Sequence, residues 1–231
     1  MKVKEESTEK KTAAAEDSTK DLIRELGLLT TGTDFESDIQ YINIIGSVEG
    51  HSVLPADNKA TKYEHLIPQL IAVEENPKLK GLLVVLNTVG GDVEAGLALA
   101  EMISTLSKPT VSLVLGGGHS IGIPLAVAAD YSFISKTATM TLHPIRTTGL
   151  VITSETTFDY MRKTQERVVD FIDEHSNADR ENVVHLMNAS DNMSNDVGTI
   201  LFGREAVEAG IIDKVGGVSQ ALKELRKRIE K

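Results

Sequence analysis

Residues 81–130 read GLLVVLNTVGGDVEAGLALAEMISTLSKPTVSLVLGGGHSIGIPLAVAAD, and one structural unit occurs twice within them. An apolar run, Leu82 to Leu86, enters a Gly90-Gly91 turn. A helical pattern follows, with Val93, Leu97, Ala100, Ile103 and Leu106 on one face at spacings of three and four. Pro109 ends it. A second apolar run, Val111 to Leu115, enters Gly116-Gly117-Gly118-His119-Ser120-Ile121-Gly122, and another apolar helix leaves that turn. Each turn delivers backbone N–H groups to a helix N-terminus, where donors are unpaired and the dipole is positive. That arrangement suits an anion, including an oxyanion that exists only in a transition state. The second turn also carries a serine, so the two turns together outline an acyl-transfer site.

Composition narrows the alternatives. A chain of 231 residues predicts one domain, with or without a tail, and can bury a core without covalent staples. There is no cysteine, which excludes disulfides, thiolate metal sites and a cysteine nucleophile. Tryptophan is absent and aromatics make up only 4%, so the core must be aliphatic and rich in small residues. A net charge of −10 argues against non-specific nucleic-acid binding and against anionic membranes. No run reaches the ~18 apolar residues of a membrane span. The first 20 residues, MKVKEESTEKKTAAAEDSTK, contain no apolar region of a secretory signal, so a cytoplasmic location is expected. Neither glycine turn is a dinucleotide fingerprint, no phosphate-binding G-x-x-x-x-G-K-[ST] occurs, and the histidines lack metal-ligand spacing. No cofactor and no metal are expected.

Outward from the centre, residues 1–36 are charged and read as a disordered tail, with a possible short helix at Asp21–Leu28; residues 37–231 form the domain. Ile39 to Ile45 predicts a first strand, Glu49 to Thr61 a loop, and Tyr63 to Glu75 a helix that Pro68 either starts or kinks. Beyond the central stretch, strands are expected at Tyr131–Ile134, Thr139–Leu142, Gly149–Ile152 and Ile211–Val215. Helices are expected at Ser154–His175, Asp179–Asn188, Glu205–Ala209 and Val218–Glu230. The long one has an apolar stripe of Phe158, Met161, Val168, Val169 and Ile172; the next is capped by Asn177 or Asp179, and Gly210 closes the third. Residues 188–198 read as a polar loop. Strands and helices alternate, so the fold class is α/β.

Ser120 is the strongest catalytic candidate, since Gly118-His119-Ser120-Ile121-Gly122 also matches G-x-S-x-G. A serine in such a turn equally suits a helix N-cap. His143, 23 residues later at a strand end, is the candidate base, because a serine nucleophile needs a neutral imidazole within reach. His119 adjoins the serine, but adjacent side chains usually point apart, which makes it the weaker base. Asp191 and Asp196, in the loop before the last helix–strand pair, are candidates to orient the imidazole; most loop aspartates are turn residues. An α/β-hydrolase is disfavoured, because there the histidine comes last and here it comes early.

These motifs, NTVGGDVEAG, SKPTVSLVLGGGHSIGIPLAVAAD, ATMTLHP and GREAVEAGIIDKV, resemble those of the Clp protease proteolytic subunit, a serine peptidase family, and its translocation-enhancing branch in particular. The resemblance runs from about Ile39 to Val215. It implies a ClpP/crotonase-like fold of repeated ββα-type units. It implies Ser120 as nucleophile, His143 as base and the backbone N–H groups of Gly91 and Ile121 as oxyanion donors. It also places an aspartate ahead of the helix Glu205–Ala209, for which Asp196 requires the smaller alignment shift and Asp191 the larger. It further implies homo-oligomeric rings, peptide or unfolded-protein substrates, and an ATPase or secretion-machinery partner. The sequence departs from the family pattern at Val89, at Gly118-His119 and at Pro144, and residues 51–63 resemble an insertion. The expected function is peptide-bond hydrolysis by a Ser-His-Asp triad that assists translocation of pre-secretory proteins or degrades their signal or precursor peptides. The rivals are a non-proteolytic partner of the secretion machinery with a vestigial site, and a crotonase-type acyl-CoA enzyme, which would not need Ser120 and His143 together.

Overall fold

Strands and helices alternate along residues 37–146, 154–190 and 197–231, which are the residues described by this computed structural model. In chain order they are β1 (Ile39–Glu49), β2 (Ala60–Lys62), α1 (Tyr63–Glu75), β3 (Gly81–Gly91), α2 (Val93–Ser104), β4 (Thr110–Gly118), α3 (Gly122–Val127), β5 (Ser132–Ile134), β6 (Thr139–Leu142), α4 (Ser154–His175), α5 (Arg180–Asn188), β7 (Thr199–Phe202), α6 (Gly203–Glu208), β8 (Lys214–Val215) and α7 (Val218–Ile229). The expected tail, its short helix, the expected strand Gly149–Ile152, and both Asp191 and Asp196 lie outside the described residues.

Six strands form one parallel sheet in the order β2-β1-β3-β4-β5-β8. Side chains alternate across it. Leu82, Val84, Leu86 and Val114 enter a large core shared with α1, α2, α3 and α4. Leu83, Val111, Leu113 and Phe133 point to the other face, where Ala221 and Leu225 of α7 close a smaller core. Burial on both faces is why the central strands read as unbroken apolar runs.

The strands are not uniform along their length. Register shifts occur between Gly46 and Ser47 in β1 and between Leu86 and Thr88 in β3. Strand β4 pairs in the main sheet through Thr110–Val114 and again at Gly118, whereas its Gly117 pairs with Thr139 of β6 in a second, small sheet. There β6 runs antiparallel to β7. Strand–helix units of this kind are the expected ββα-type repeat, and the second pairing of β4 matters because it brings β6, with His143 just beyond its end, to the second glycine turn.

Several boundaries differ from the sequence reading. Strand β1 continues through Gly46, whose φ of 77° carries the bulge, as far as Glu49. Helix α1 starts at Tyr63 and keeps Pro68 inside it; Pro68 lies on the solvent side, where water can satisfy the carbonyl one turn earlier. Strand β7 falls in a stretch not read as a strand; it pairs with β6, far away in sequence. The stripe on α4 is buried only in its second half: Val168, Val169 and Ile172 are covered, whereas Phe158 is 68% exposed. Asp179, one of the two residues expected to cap α5, does so, its carboxylate accepting from the Asn182 N–H at 2.8 Å.

Candidate active site

The first turn is shaped by Thr88. Its hydroxyl donates to the Gly46 carbonyl at 2.6 Å and accepts from the Gly90 N–H at 3.1 Å. Gly90 has φ 92°, and a Cβ there would sit 2.7 Å from the Ser120 Cβ, so both backbone conformation and space require glycine. The Asp92 N–H donates to the Val48 carbonyl at 2.9 Å, and the Asp92 side chain caps α2 by accepting from the Ala95 N–H at 2.8 Å.

The second turn holds Ser120 at φ 56°, the one non-glycine residue with positive φ among those described. A left-handed serine costs about 1–2 kcal/mol and persists only where its surroundings over-determine it. Here the Ser120 N–H donates to the Thr141 carbonyl at 2.8 Å, and the His119 N–H to the Thr88 carbonyl at 3.2 Å. The Gly122 and Ile123 N–H groups return to the His119 and Ser120 carbonyls at 2.9 and 3.0 Å. The Ser120 side chain does not cap α3; residue 121 is the cap position and makes no side-chain bond to the helix.

A cavity of about 250 Å³ brings Ser120, His143, Gly91 and Ile121 together. Its walls are apolar, from Val93 of α2, Leu142 of β6, Val168 and Ile172 of α4, and Met187 of α5, and Arg146 adds a guanidinium. A larger groove of about 740 Å³ under α7 is lined by Tyr131, Phe133 and charged side chains, and its Ser219 has no histidine beside it. The chemistry therefore belongs to the smaller cavity.

His143 Nδ1 lies 2.7 Å from the Pro144 carbonyl. A carbonyl only accepts, so Nδ1 carries the proton, and in the neutral ring Nε2 keeps the lone pair that a base needs. His119 does not line the cavity; its Nδ1 lies 2.8 Å from the Thr141 hydroxyl. Burial, and then the charge of His143, push the His119 imidazole below its ordinary range. Sequence reasoning missed Thr141 altogether. The T-M-T-L-H spacing that puts it two residues before His143 was the available signal.

Ala189 and Gly198, which flank the two aspartates in sequence, meet beside His143. The Gly198 N–H donates to the Ala189 carbonyl at 2.7 Å, and a Cβ on Gly198 would sit 2.9 Å from the His143 Cβ. On another side, Arg167 of α4 clamps Glu94 of α2 through bonds of 2.6 and 3.0 Å, which hold the Glu94 carboxyl below its ordinary range. The pair is exposed and worth at most about 1 kcal/mol, but it joins two helices that wall the cavity. Among the described residues no cluster of histidines and carboxylates could hold a metal, and no helix is long and apolar enough to cross a membrane.

A parallel sheet of ββα-type units with a serine and a histidine on one apolar cavity defines a class, and comparison supplies its family. The Clp protease family matches residues 36–219, and the chain belongs to that family. It is 56% identical over 209 residues to the translocation-enhancing protein TepA of Halalkalibacterium halodurans, spanning 90% of this chain and 82% of that protein, which puts it in the TepA branch. It is 26% identical over 140 residues to the ATP-dependent Clp protease proteolytic subunit 1 of Chlamydia muridarum, covering 58% of this chain and 69% of the relative. The subunit of the same name from Protochlamydia amoebophila is 26% identical over 156 residues, covering 65% and 72%.

Proposed function

We propose that this protein is a serine peptidase in which Ser120 attacks a peptide carbonyl, His143 takes and returns the proton, and the N–H groups of Gly91 and Ile121 hold the oxyanion. The observation that carries this reading is Ser120, held in a strained backbone conformation on a cavity that His143, Gly91 and Ile121 also line. The Nδ1–H to carbonyl bond at Pro144 favours the tautomer in which Nε2 can accept the serine proton. The neighbouring N–H groups of Asp92, Gly122 and Ile123 are engaged elsewhere, and Gly91 and Ile121, the oxyanion donors that the family resemblance implies, both line the cavity beside Ser120. Each such donor is worth roughly 3 kcal/mol in a transition state. Asp196 completes the proposed triad. Its carboxylate would share the Nδ1 proton with the Pro144 carbonyl and so favour the same tautomer, and it lies two residues before Gly198, which is close to the His143 Cβ.

The substrate is a peptide or unfolded protein, and no cofactor takes part. The name of the relative TepA speaks of enhanced translocation, and we extend that role to this chain, in the cytoplasm and with an ATPase or secretion-machinery partner. Homo-oligomeric rings belong to the same reading. The first ten residues of α4, 154–163, bury no side chain, and among them Phe158 and Tyr160 are 68% and 62% exposed, as a subunit contact would require. Light scattering should find a multiple of 25.0 kDa at micromolar concentration, and a species of that single mass would contradict the ring. Labelling by a fluorophosphonate tests the nucleophile. Folded wild-type protein that takes no label, alone or with partners, would instead support a non-proteolytic partner that keeps the fold.

A further inference from the structure

We propose that His119 and Thr141 form a clasp that positions Ser120 against His143. The inference rests on the peptidase reading above and concerns what holds its geometry. Ser120 occupies a conformation that L-residues avoid, so the flanking structure must impose it. Thr141 does so at two points. Its carbonyl accepts the Ser120 N–H at 2.8 Å, and its hydroxyl lies 2.8 Å from Nδ1 of His119, the residue just before the serine. The amide bond is available to any residue at position 141; the hydroxyl contact needs this threonine and this histidine.

The two ends of the clasp belong to the two halves of the site. His119 is part of the nucleophile turn, whereas Thr141 stands on β6, two residues before the base. A shift of β6 relative to the turn would move His143 relative to Ser120, and the clasp opposes that shift. His119 is itself seated. A Cβ on Gly117 would lie 2.8 Å from both its Nε2 and its Cδ2, so the glycine leaves the space that the ring occupies. The ring's charge state also fits the role. Catalysis places a positive charge on His143 when it takes the serine proton, and a second cation behind Ser120 would oppose that step. Burial, with the charge of His143 as a lesser cause, shifts His119 toward the neutral form. Because His119 does not line the cavity, it acts through Ser120 and is a positioning residue.

The test is a double-mutant cycle on His119→Ala and Thr141→Val, read by the rate of fluorophosphonate labelling and by kcat and KM on a fluorogenic peptide. Each single variant should lose about 10–100-fold in labelling rate and kcat with KM changed less than about twofold, the signature of misplaced reacting atoms. The double variant should be no worse than the singles, because both remove one contact. His119→Gln, whose amide can meet the Thr141 hydroxyl, should recover most of the rate. Singles that label at the wild-type rate, losses that multiply in the double, or a lowered Tm with kcat per folded molecule intact would overturn the clasp. If Thr141→Val does not fold, the comparison of His119→Ala with Thr141→Ser decides, since one breaks the contact and the other keeps it. Wild-type protein that takes no label would overturn the nucleophile reading itself; a labelled wild type with indifferent variants would overturn the clasp alone.

Discussion

The two glycine turns follow one plan and end differently. The first, at Gly90-Gly91, runs into a helix that is capped in the ordinary way: Asp92 is extended and its carboxylate takes the Ala95 N–H. The second runs into a helix without a side-chain cap, and the residue in the turn is a left-handed serine. One turn is relaxed and spends its polar side chain on the fold. The other is strained and keeps its hydroxyl on a cavity. Chemistry is expected at the second turn, with the first contributing only backbone.

The largest expected effect sharpens that contrast directly. Ser120→Ala should abolish fluorophosphonate labelling and peptide hydrolysis, and His143→Ala should reduce both by roughly 10⁴-fold or more, with circular dichroism unchanged. A peptidase activity that survives Ser120→Ala would move the chemistry away from the second turn.

The next effect concerns a group that neither turn supplies. The first turn has its own aspartate, Asp92, whereas the proposed triad takes Asp196 for the second. Asp196→Asn should leave the fold intact and lower kcat about 10²–10⁴-fold by weakening the hold on the imidazole tautomer. Asp191→Asn should do little. The reverse pattern would exchange their roles, and full activity in both would mean that the Pro144 carbonyl alone orients His143.

What the sequence made legible divides along the same line. Glycines, caps and apolar spacing are local signals, and they located both turns, the Asp179 cap and the closure at Gly210, where φ is 78°. They did not reveal β7, four residues whose pairing is with β6 some 60 positions earlier, because non-local pairing leaves little local trace. Likewise Ser120 was legible as a candidate from its motif, but its strain was not, since φ at a non-glycine residue depends on what surrounds it. Thr141 was illegible for that reason too: its importance lies in a carbonyl and a hydroxyl that reach across to another strand's turn. Phe158 misled in the opposite sense, because an apolar stripe does not say whether the chain's own core or a neighbour covers it.

A smaller effect separates the turns by stability. Asp92→Ala removes a helix cap and should cost about 1 kcal/mol in urea unfolding. Ser120→Gly relieves a left-handed residue and should raise stability by up to about 1 kcal/mol while removing activity. Equal losses in the two variants would show that Ser120 is not strained and would dissolve the contrast.

The smallest effect is a pH dependence confined to the second turn. Burial, with the charge of His143 as a lesser cause, holds the His119 imidazole below its ordinary value of about 6.5. Above that pH, position 119 is neutral in both the folded and the unfolded chain and contributes no pH dependence. As the pH falls below it, the unfolded chain takes up the proton first, so the folded state loses stability progressively until the lower folded value is passed. His119→Gln removes this titration while leaving an amide to meet the Thr141 hydroxyl. The other ionisable groups are common to both proteins and largely cancel in the difference. The urea midpoint of wild type should therefore drop relative to that of His119→Gln between about pH 6.5 and the lower value, and run parallel to it above. Parallel curves throughout would show that His119 is not buried in the folded protein. A wild type that gains stability on acidification would show that its proton is favoured there, which is incompatible with a neutral ring behind the nucleophile.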